Sequence, residues 1–462
     1  MPRPTHRPRS GGARTPGRSP GSAEARLGKP SPRERLLAAM TYLAMQIGYD
    51  AIRISHLVAE AKVSRQTFYD LFEDKEDLFL AAYQAAAQQI LGRLQRAVQG
   101  GDWWETPARG LPVLLGAIES DPEAAWLLFV ESMAGGERVR AQGNEVLAAF
   151  ETLAADFLDN APAGGLTLDI PPVALVGALR SLVTSQLRAD AADRLTNLAE
   201  DLVVWIRSYA APATRERWST GPHALLGPTA YSEGARIPTP ILSRPAPLPS
   251  GRRRQPASAA ARNRRSRILH ATAEVALQKG YIEMTVTDII TAAEIGKDVF
   301  YEHFPDKRAA FLAAQQLATQ EMIAECARAF FDRPRWPEQV YNGLRVFTIL
   351  VAREPVFAHM RVVEAYAAGP EAMQRTEELT AQFAVFLEEG YKQRPEATAL
   401  PRTCTPAIAG AIFELIRRQI AAHKTAELPR HVPQLAYVAL APFLGAEAAA
   451  GVIEGIVARG DG

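Results

Sequence analysis

Cysteine, metal-binding patterns and long apolar runs are scarce or absent in this sequence. Its two cysteines among 462 residues, Cys326 and Cys404, exclude a disulfide framework and provide no Cys-x-x-Cys spacing for zinc. The most apolar stretch, residues 435–446, is only twelve residues long and contains Pro442, so a buried helix is expected there rather than a membrane span. The first thirty residues contain no continuous apolar segment of the kind that signal peptides have. We therefore expect a soluble cytoplasmic protein with no membrane partner.

The side-chain patterns of common enzymes are also missing. The eight histidines are scattered, and none forms the His-x-x-x-His or His-Glu-x-x-His arrangement that holds a metal. The sequence has no phosphate-binding P-loop, no nucleophile elbow and no dinucleotide-binding glycine pattern after a strand. We expect no catalytic residues, no metal and no cofactor.

Charge is distributed unevenly, although the net value is only +1. Residues 1–30 and residues 210–262 each carry a net charge of +6, so the remainder of the chain sums to −11. Proline, glycine, serine and arginine dominate both basic stretches, which show no helical or strand periodicity and are expected to be disordered or extended. Basic segments on an acidic body suggest a polyanionic partner such as nucleic acid, and a solvated linker of biased composition is the alternative.

The two blocks that follow these basic stretches repeat each other. Residues 48–82 align with residues 280–314 without a gap at an offset of 232, with Gly-Tyr, Phe-Tyr, Asp-Lys and Phe-Leu-Ala-Ala at matching places. Further on, the offset is 233 and pairs Glu131 with Glu364. Both blocks have apolar residues at helical spacing and almost no alternating strand pattern. The sequence therefore predicts an all-α chain made of two tandem copies of one unit.

Each unit begins with a module of three short helices. The first helix is predicted to end at Gly48 in one copy and at Gly280 in the other. A second helix and a tight turn lead to a third helix, which Ser64 opens in the first copy and Gly296 in the second. Apolar side chains on one face of the third helix are expected to dock on the first two helices. These are Phe68, Leu71 and Phe72 in the first copy, and Phe300 and Phe304 in the second.

The opposite face of the third helix carries polar and cationic side chains. A short helix that presents such groups at its N-terminal end has the geometry of a major-groove reader, in which arginine pairs with guanine and glutamine with adenine. Tyrosine and lysine nearby are placed to meet phosphates, which set the register. The predicted DNA-binding residues are Ser64, Arg65, Gln66, Thr67, Tyr69 and Lys75 in the first copy, and Lys297, Asp298, Tyr301 and Lys307 in the second.

These residues carry a specific resemblance. The pattern Gly-Tyr, then about fifteen residues, then a capped helix reading x-x-x-Phe-Tyr-x-x-Phe and x-Asp-Lys resembles the TetR family of bacterial transcriptional regulators, and it occurs twice. The resemblance implies a helix-turn-helix DNA-binding domain followed by a helical ligand-binding and dimerisation domain in each unit. It further implies a double-stranded DNA operator as partner, a small-molecule effector, and repression that the effector relieves.

The resulting domain organisation has six parts. They are a disordered basic tail (1–30), a first helix-turn-helix domain (31–83), a first ligand-binding body (84–210), a Pro/Arg-rich linker (211–261), a second helix-turn-helix domain (262–315) and a second body (316–462). The copies differ in their reading residues, because Asp298 would place an anion against a polyanion. The two units are therefore not expected to read the same bases.

Aromatic side chains in the two bodies are candidates for a ligand pocket, although aromatic residues at helical spacing more often belong to the ordinary core. The ligand-binding candidates are Trp126, Phe129, Phe150 and Phe157 in the first body, and Phe347, Phe383 and Phe386 in the second.

The last helices of each body are apolar and rich in alanine, and the resemblance implies that they pair in a four-helix interface. We expect the two units of one chain to form an intramolecular pseudo-dimer on an imperfect palindrome, and a homodimer of chains is the alternative. The alternative function is a ligand-binding or protein-interaction module that has lost DNA binding in one or both units.

Overall fold

The computed structural model describes residues 30–133, 137–213, 217–221, 244–246 and 257–459. The predicted basic tail and most of the predicted linker lie outside these ranges. Most of the described chain is helical and it contains two repeated units, so the all-α prediction is confirmed. In the described ranges no helix is both long enough and apolar enough to cross a membrane.

The first unit contains the following elements. Its α-helices are α1 (Pro32–Ile47), α2 (Ile54–Glu60), α3 (Arg65–Leu71), α4 (Lys75–Val98), α5 (Thr106–Ser120), α6 (Pro122–Phe129), α7 (Glu137–Asp159), α8 (Pro172–Arg188) and α9 (Ala199–Arg207). Short 3-10 turns lie at Tyr49–Ala51, Trp103–Glu105, Glu131–Met133 and Ala192–Leu198. Two three-residue strands, β1 (Leu166–Leu168) and β2 (Ala210–Pro212), pair antiparallel.

The second unit follows the same order. Its α-helices are α10 (Ala257–Glu283), α11 (Val286–Ala293), α12 (Lys297–His303), α13 (Lys307–Phe331), α14 (Trp336–Arg353), α15 (Pro355–His359), α16 (Pro370–Val385), α17 (Pro395–Thr398), α18 (Cys404–Ala421), α19 (Val432–Leu444) and α20 (Ala446–Ala458). Shorter helical segments, the first of them a π-helix, lie at Met360–Glu364, Glu388–Lys392 and Thr425–His431.

The ends of the first helix show how local sequence fixes the element. The Ser31 hydroxyl accepts from the Glu34 amide, the Glu34 carboxylate accepts from the Ser31 amide at 2.7 Å, and Pro32 occupies the first turn. Gly48 ends the helix with a φ of 76°, a conformation that glycine adopts without strain. Gly280 has the same φ of 76° and bends α10 at the matching place. Both predicted helix ends are therefore confirmed.

The recognition helices dock through paired phenylalanines, as predicted, with one exception. Phe68 and Phe72 are buried in the first unit, and Phe300 and Phe304 are buried in the second. Leu71 is 39% exposed, so the prediction that it docks is wrong. Helix α3 ends at Leu71 and the backbone is extended at Phe72, so the helical period that would place Leu71 on one face with Phe72 does not continue through these two residues.

The module and the body of each unit share one continuous helix. The predicted boundaries after residues 83 and 315 both fall inside long helices, α4 and α13. A movement of the body can therefore reach the DNA-binding module without crossing a loop. At the other end of the predicted linker, α10 begins at Ala257, before the boundary expected at residue 262.

The beginning of the predicted linker is folded against both units, which differs from the expectation. Trp218 is 2% exposed, its ring stacks on Tyr437 with centroids 4.9 Å apart, and its indole nitrogen donates to Glu454 at 2.9 Å. Its amide donates to Asp169, which also accepts from the Tyr437 hydroxyl at 2.7 Å. A single tryptophan in a basic, proline-rich stretch gives no periodicity, so the sequence offered no signal for this packing.

The two units are in direct contact along α8 and α18. One apolar core runs from the first unit into helices α18, α19 and α20 of the second, whereas the second helix-turn-helix module has a core of its own. The contact is close because Gly177 lies against the Glu414 side chain and Gly410 lies against Ser181, leaving no room for a Cβ on either glycine.

Candidate DNA interface and ligand cavities

The first recognition helix, α3, presents most of the predicted reading residues to solvent. Ser64 caps it, because its hydroxyl accepts from the Thr67 amide at 2.9 Å. Arg65 and Gln66, the next two residues, are exposed. The Arg65 guanidinium lies 5.7 Å from the centre of the Tyr69 ring. The cap therefore fixes the helix start, and its exposed face carries an arginine, an amide and a phenol side by side.

The predicted phosphate-binding lysines have structural partners. The Lys75 ammonium donates to the Tyr49 carbonyl at 2.9 Å and lies 4.1 Å from the centre of that ring. Lys307 donates to three backbone carbonyls within residues 281–284, at 2.9, 3.2 and 2.9 Å. An ammonium has three donors, so this second lysine is fully engaged. Burial lowers the pKa of both lysines. The two lysines stabilise the turn that follows the Gly-Tyr pair in each module. That they also contact DNA stays a prediction.

The second recognition helix, α12, differs from the first at its start. Gly296 precedes it and provides no side-chain cap, and Lys297 and Asp298 are exposed at its first turn. Tyr301 is 48% exposed, almost the same as Tyr69 at 47%. The two modules therefore expose a tyrosine at the same place but different groups at the base-reading positions.

The helix before each recognition helix also differs between the copies. Thr285 caps α11 by accepting from the Asp288 amide, and Asp288 accepts in return from the Thr285 amide at 2.9 Å. Hydrogen bonds from Lys279 and Thr285 lower the pKa of Asp288 to about 2. In the first copy Arg53 stands at the cap, and its amide donates to His56 Nδ1 at 3.4 Å. In the second module, the helix before the recognition helix is therefore better capped than in the first. The exposed start of its recognition helix carries less positive charge.

A pair of glutamates that the repeat had aligned connects each body to its module. Glu131 accepts from the Tyr49 amide at 3.1 Å and from the Trp126 indole at 3.1 Å. Glu364 accepts from the Tyr281 amide at 2.7 Å. Both contacts fall on the residue after the glycine that ends the first helix. No sequence motif predicts a function for these glutamates, and their recurrence at one offset is the signal by which the sequence marks them.

The two glutamates have different electrostatic surroundings. Burial raises the pKa of Glu131. Burial also opposes ionisation of Glu364, but hydrogen bonds from His359 and the Tyr281 amide, together with Arg140, hold its pKa below the usual range. Arg140 belongs to α7 of the first unit and lies 3.7 Å from the Glu364 carboxylate. The second connection is therefore ionised and also contacts the neighbouring unit.

Each body contains an apolar cavity at the place where the aromatic candidates were predicted to meet. The first cavity has a volume of about 140 Å³, and Phe129, Phe150 and Phe157 line it. The second has a volume of about 130 Å³, and Phe347, Phe383 and Phe386 line it. Trp126 is a correction to the predicted set. It is not among the described residues that line the first cavity, because its indole is held by Glu131 beside the module.

The family of the chain follows from its helix-turn-helix modules. A family model described as bacterial regulatory proteins of the tetR family matches residues 36–82 and again residues 268–314. The chain contains two helix-turn-helix domains of the tetR family. Both matches cover the end of the first helix, the recognition helix and the start of the long helix that follows. With these two domains the chain is a helix-turn-helix DNA-binding regulator that has two units in tandem.

Solved tetR-like structures are similar to single units of this chain. The FadR fatty acid degradation regulator of Bacillus halodurans is 18% identical, with a TM-score of 0.34, and the match covers 39% of this chain and 96% of that one. FadR of Bacillus subtilis, solved with stearoyl-CoA, is 17% identical with a TM-score of 0.33, covering 37% and 96%. Reduced NemR of E. coli is 20% identical with a TM-score of 0.32, covering 40% and 100%. No curated protein matches the chain.

Proposed function

We propose that the two units of one chain act as a pseudo-dimer on one imperfect palindrome, and that a ligand in the bodies releases the operator. The observation that carries the first part is the reciprocity of the α8–α18 contact. Gly177 packs on Glu414, and Gly410 packs on Ser181. At the repeat offset of 233, Gly410 is the counterpart of Gly177 and Glu414 is the counterpart of Ser181. Such an exchange of equivalent contacts is characteristic of a two-fold interface.

Charge at this interface favours pairing of unlike units. Arg180 Nη2 lies 2.5 Å from Glu414 Oε2, and both side chains are buried. At the repeat offset, the second unit has Phe413 in place of Arg180, and the first has Ser181 in place of Glu414. Two copies of the first unit would therefore bury Arg180 without a glutamate, whereas in two copies of the second Glu414 would keep Arg417 of its own unit but lose Arg180. The first arrangement leaves an uncompensated charge, which is costly, and only the pairing of unlike units gives Arg180 a counter-charge.

We expect the free chain to have a mass near the 50.3 kDa of a single polypeptide in light scattering. The reason is that the contacts of the folded linker segment with the second unit connect the two units of the same chain, so the α8–α18 interface is filled without another molecule. The measurement is best made over a range of concentrations from nanomolar to micromolar. A stable species of twice this mass at the lowest concentration would mean that chains pair with one another.

The position of the cavities supports release by a ligand. Leu128, Phe129 and Ser132 line the first cavity on either side of Glu131 in sequence, and Glu131 accepts from the Tyr49 amide of the module. Arg361 and Val362 line the second cavity just before Glu364, which accepts from the Tyr281 amide of the second module. A ligand that shifts either segment would move the glutamate, and with it the turn that precedes the helix-turn-helix. The spacing of the two recognition helices would change in consequence, and binding to two half-sites at fixed separation would weaken.

We expect Arg65→Ala to weaken operator binding by about 1–3 kcal/mol and to relax the preference at one base pair. Arg65 is exposed at the first turn of α3, where a bidentate contact with guanine is geometrically available. The measurement is binding to operators selected from random DNA and to their single-base variants. Arg402→Ala, which removes an exposed arginine in the second body, is the matched control and should change nothing. An equal loss of affinity for every sequence would reduce Arg65 to a phosphate contact.

The same comparison at the second unit tests the asymmetry of the operator. Lys297 and Asp298 occupy the positions of Arg65 and Gln66. Because an aspartate accepts from cytosine and repels phosphate, the half-site of the second unit should differ from that of the first. Selected operators with two identical half-sites would contradict the proposal.

A further inference from the structure

The second cavity contains a buried cation that is not paired with a carboxylate in the described part of the chain. Arg361 lines the cavity and is 2% exposed. Its guanidinium donates to the carbonyls of Gln315 at 3.1 Å and Arg375 at 3.3 Å and to the Thr319 hydroxyl, all of them neutral acceptors. Its Nε has no hydrogen-bond partner among the described residues. Burial, and then the charge of Arg375, lower the pKa of Arg361 to about 9.

A charge in such surroundings is costly, and proteins ordinarily pair it. Arg180, which lines the first cavity, is paired in this way with Glu414 at 2.5 Å. The second cavity does include two acidic residues in its lining, but Glu321 is exposed and Glu354 only half-buried, and neither lies within ion-pair distance of Arg361 in the described chain. Arg361 therefore has unused capacity for an anion inside an apolar space.

The repeat shows that this cation belongs to the second unit alone. At the offset of 233, the counterpart of Arg361 is Leu128, which lines the first cavity. The fold of the unit is thus compatible with an apolar side chain at this position. The difference between the two copies indicates that the second cavity has its own ligand chemistry.

The remaining wall of the second cavity limits the rest of the ligand. Phe347, Phe383, Met322 and Ile416 contribute apolar surface. The volume of about 130 Å³ is close to that of engineered cavities, about 150 Å³, that hold benzene. A ligand with an apolar body of about six to eight carbons and one anionic group would fill the space and neutralise the arginine.

We propose that the second cavity binds a carboxylate amphiphile whose anionic group pairs with Arg361, while the first cavity takes a neutral apolar ligand. The regulatory consequence rests on the proposed function. Arg361 lies within the π-helical segment Met360–Glu364, three residues before the glutamate that accepts from the Tyr281 amide. An anion bound at Arg361 acts directly on the segment that connects the second body to its module.

The test is calorimetric titration of the full chain with octanoate and with 1-octanol, which differ in the charged group. Because 1-octanol is also expected to bind in the first cavity, the comparison concerns the second cavity, where we expect octanoate to bind at least about tenfold more tightly than 1-octanol. Arg361→Met should remove this preference and leave 1-octanol binding unchanged, while Arg361→Lys should keep most of it. Arg402→Met, which removes an exposed arginine of the second body that lines neither cavity, is the matched control and should leave the preference unchanged.

Loss of packing alone would weaken both ligands together, so the charge preference separates a binding residue from a structural one. If Arg361→Met does not fold, the comparison of the two ligands on the unaltered chain still tests whether the second cavity prefers an anionic ligand. Equal affinity for octanoate and 1-octanol, no binding of either, or octanoate binding that Arg361→Met leaves intact would overturn the site. Operator release is measured separately. Octanoate that binds through Arg361 without releasing DNA would contradict ligand relief and leave the carboxylate site standing.

Discussion

Replacing Glu414 by leucine is expected to lower the free energy of unfolding by about 3–5 kcal/mol. Glu414 is 1% exposed and lies between two buried arginines, with Arg180 Nη2 and Arg417 Nη2 each 2.5 Å from its carboxylate. Leucine keeps the Cβ and Cγ that pack on Gly177 but leaves two guanidinium groups buried without a counter-charge. The measurement is urea unfolding followed by circular dichroism.

Two further variants distinguish the cost of burying an unpaired charge from the cost of losing an ordinary ion pair. Glu388→Leu removes the exposed partner of Arg402 and should cost less than about 1 kcal/mol. The triple variant Arg180→Met, Glu414→Leu, Arg417→Met removes the whole buried network and should recover most of the lost stability. If Glu414→Leu were as stable as the unaltered chain, water would have to reach the two arginines, and the interface would be open.

The same residue predicts a dependence on acid. Burial by itself raises the pKa of Glu414, but Arg180 and Arg417 lower it to about 2, from an ordinary value of 4.5. Because the folded-state pKa is depressed, the stabilisation is complete above about pH 4.5 and is lost as the pH falls towards 2. Glu414→Leu should therefore reduce the steepness of acid unfolding in this interval, and an unchanged acid profile would contradict the assignment.

The second large effect is expected from Phe68→Ala and Phe300→Ala, compared one at a time. Each ring is fully buried beneath its recognition helix and contacts the next phenylalanine of the same face. Truncation of a buried phenylalanine costs about 3–5 kcal/mol, which a seven-residue helix cannot recover from contacts of its own. We expect either variant to lose operator binding, measured as a shift in electrophoretic mobility of selected operator DNA over a range of salt concentrations.

The comparison of these two variants decides between the proposed function and its alternative. If both units read DNA, each variant should also reduce the salt dependence of residual binding, because fewer phosphates are contacted. Phe331→Ala is the control, since that ring is 72% exposed on the second body. Phe300→Ala with the affinity and salt dependence of the unaltered chain would show that the second module does not read DNA.

Much of the helix-turn-helix architecture could be predicted because its determinants are local. Gly48 and Gly280 end helices through a backbone conformation that needs no distant partner, and Ser64 caps the recognition helix from the adjacent position. Phe68 and Phe300 follow the helical period and are buried. Leu71 shows where this reasoning ends, because periodicity identifies an apolar face but not the few degrees of rotation that choose between neighbours on it.

The candidate site was predicted less completely. The aromatic residues Phe129, Phe150, Phe347 and Phe383 do line cavities, but the same spacing also selected Trp126, whose partner Glu131 determines its position. The motif predicted that the base-reading residues are exposed. It did not predict that Lys307 donates hydrogen bonds to three backbone carbonyls. Which side of a helix a long side chain turns to depends on acceptors that only the folded turn brings together.

The sequence by itself determined the repeat, the helices and the family, since these depend on residues a few positions apart and on comparison of the two copies. The tertiary structure alone decided what the copies do differently. Arg180 meets Glu414 across 234 positions, and Trp218 meets Glu454 across 236. Arg361 differs from Leu128 in the sequence, but only folding buries it without a carboxylate. Contacts between distant residues have no local pattern, because helices at any sequence separation can be brought together by packing.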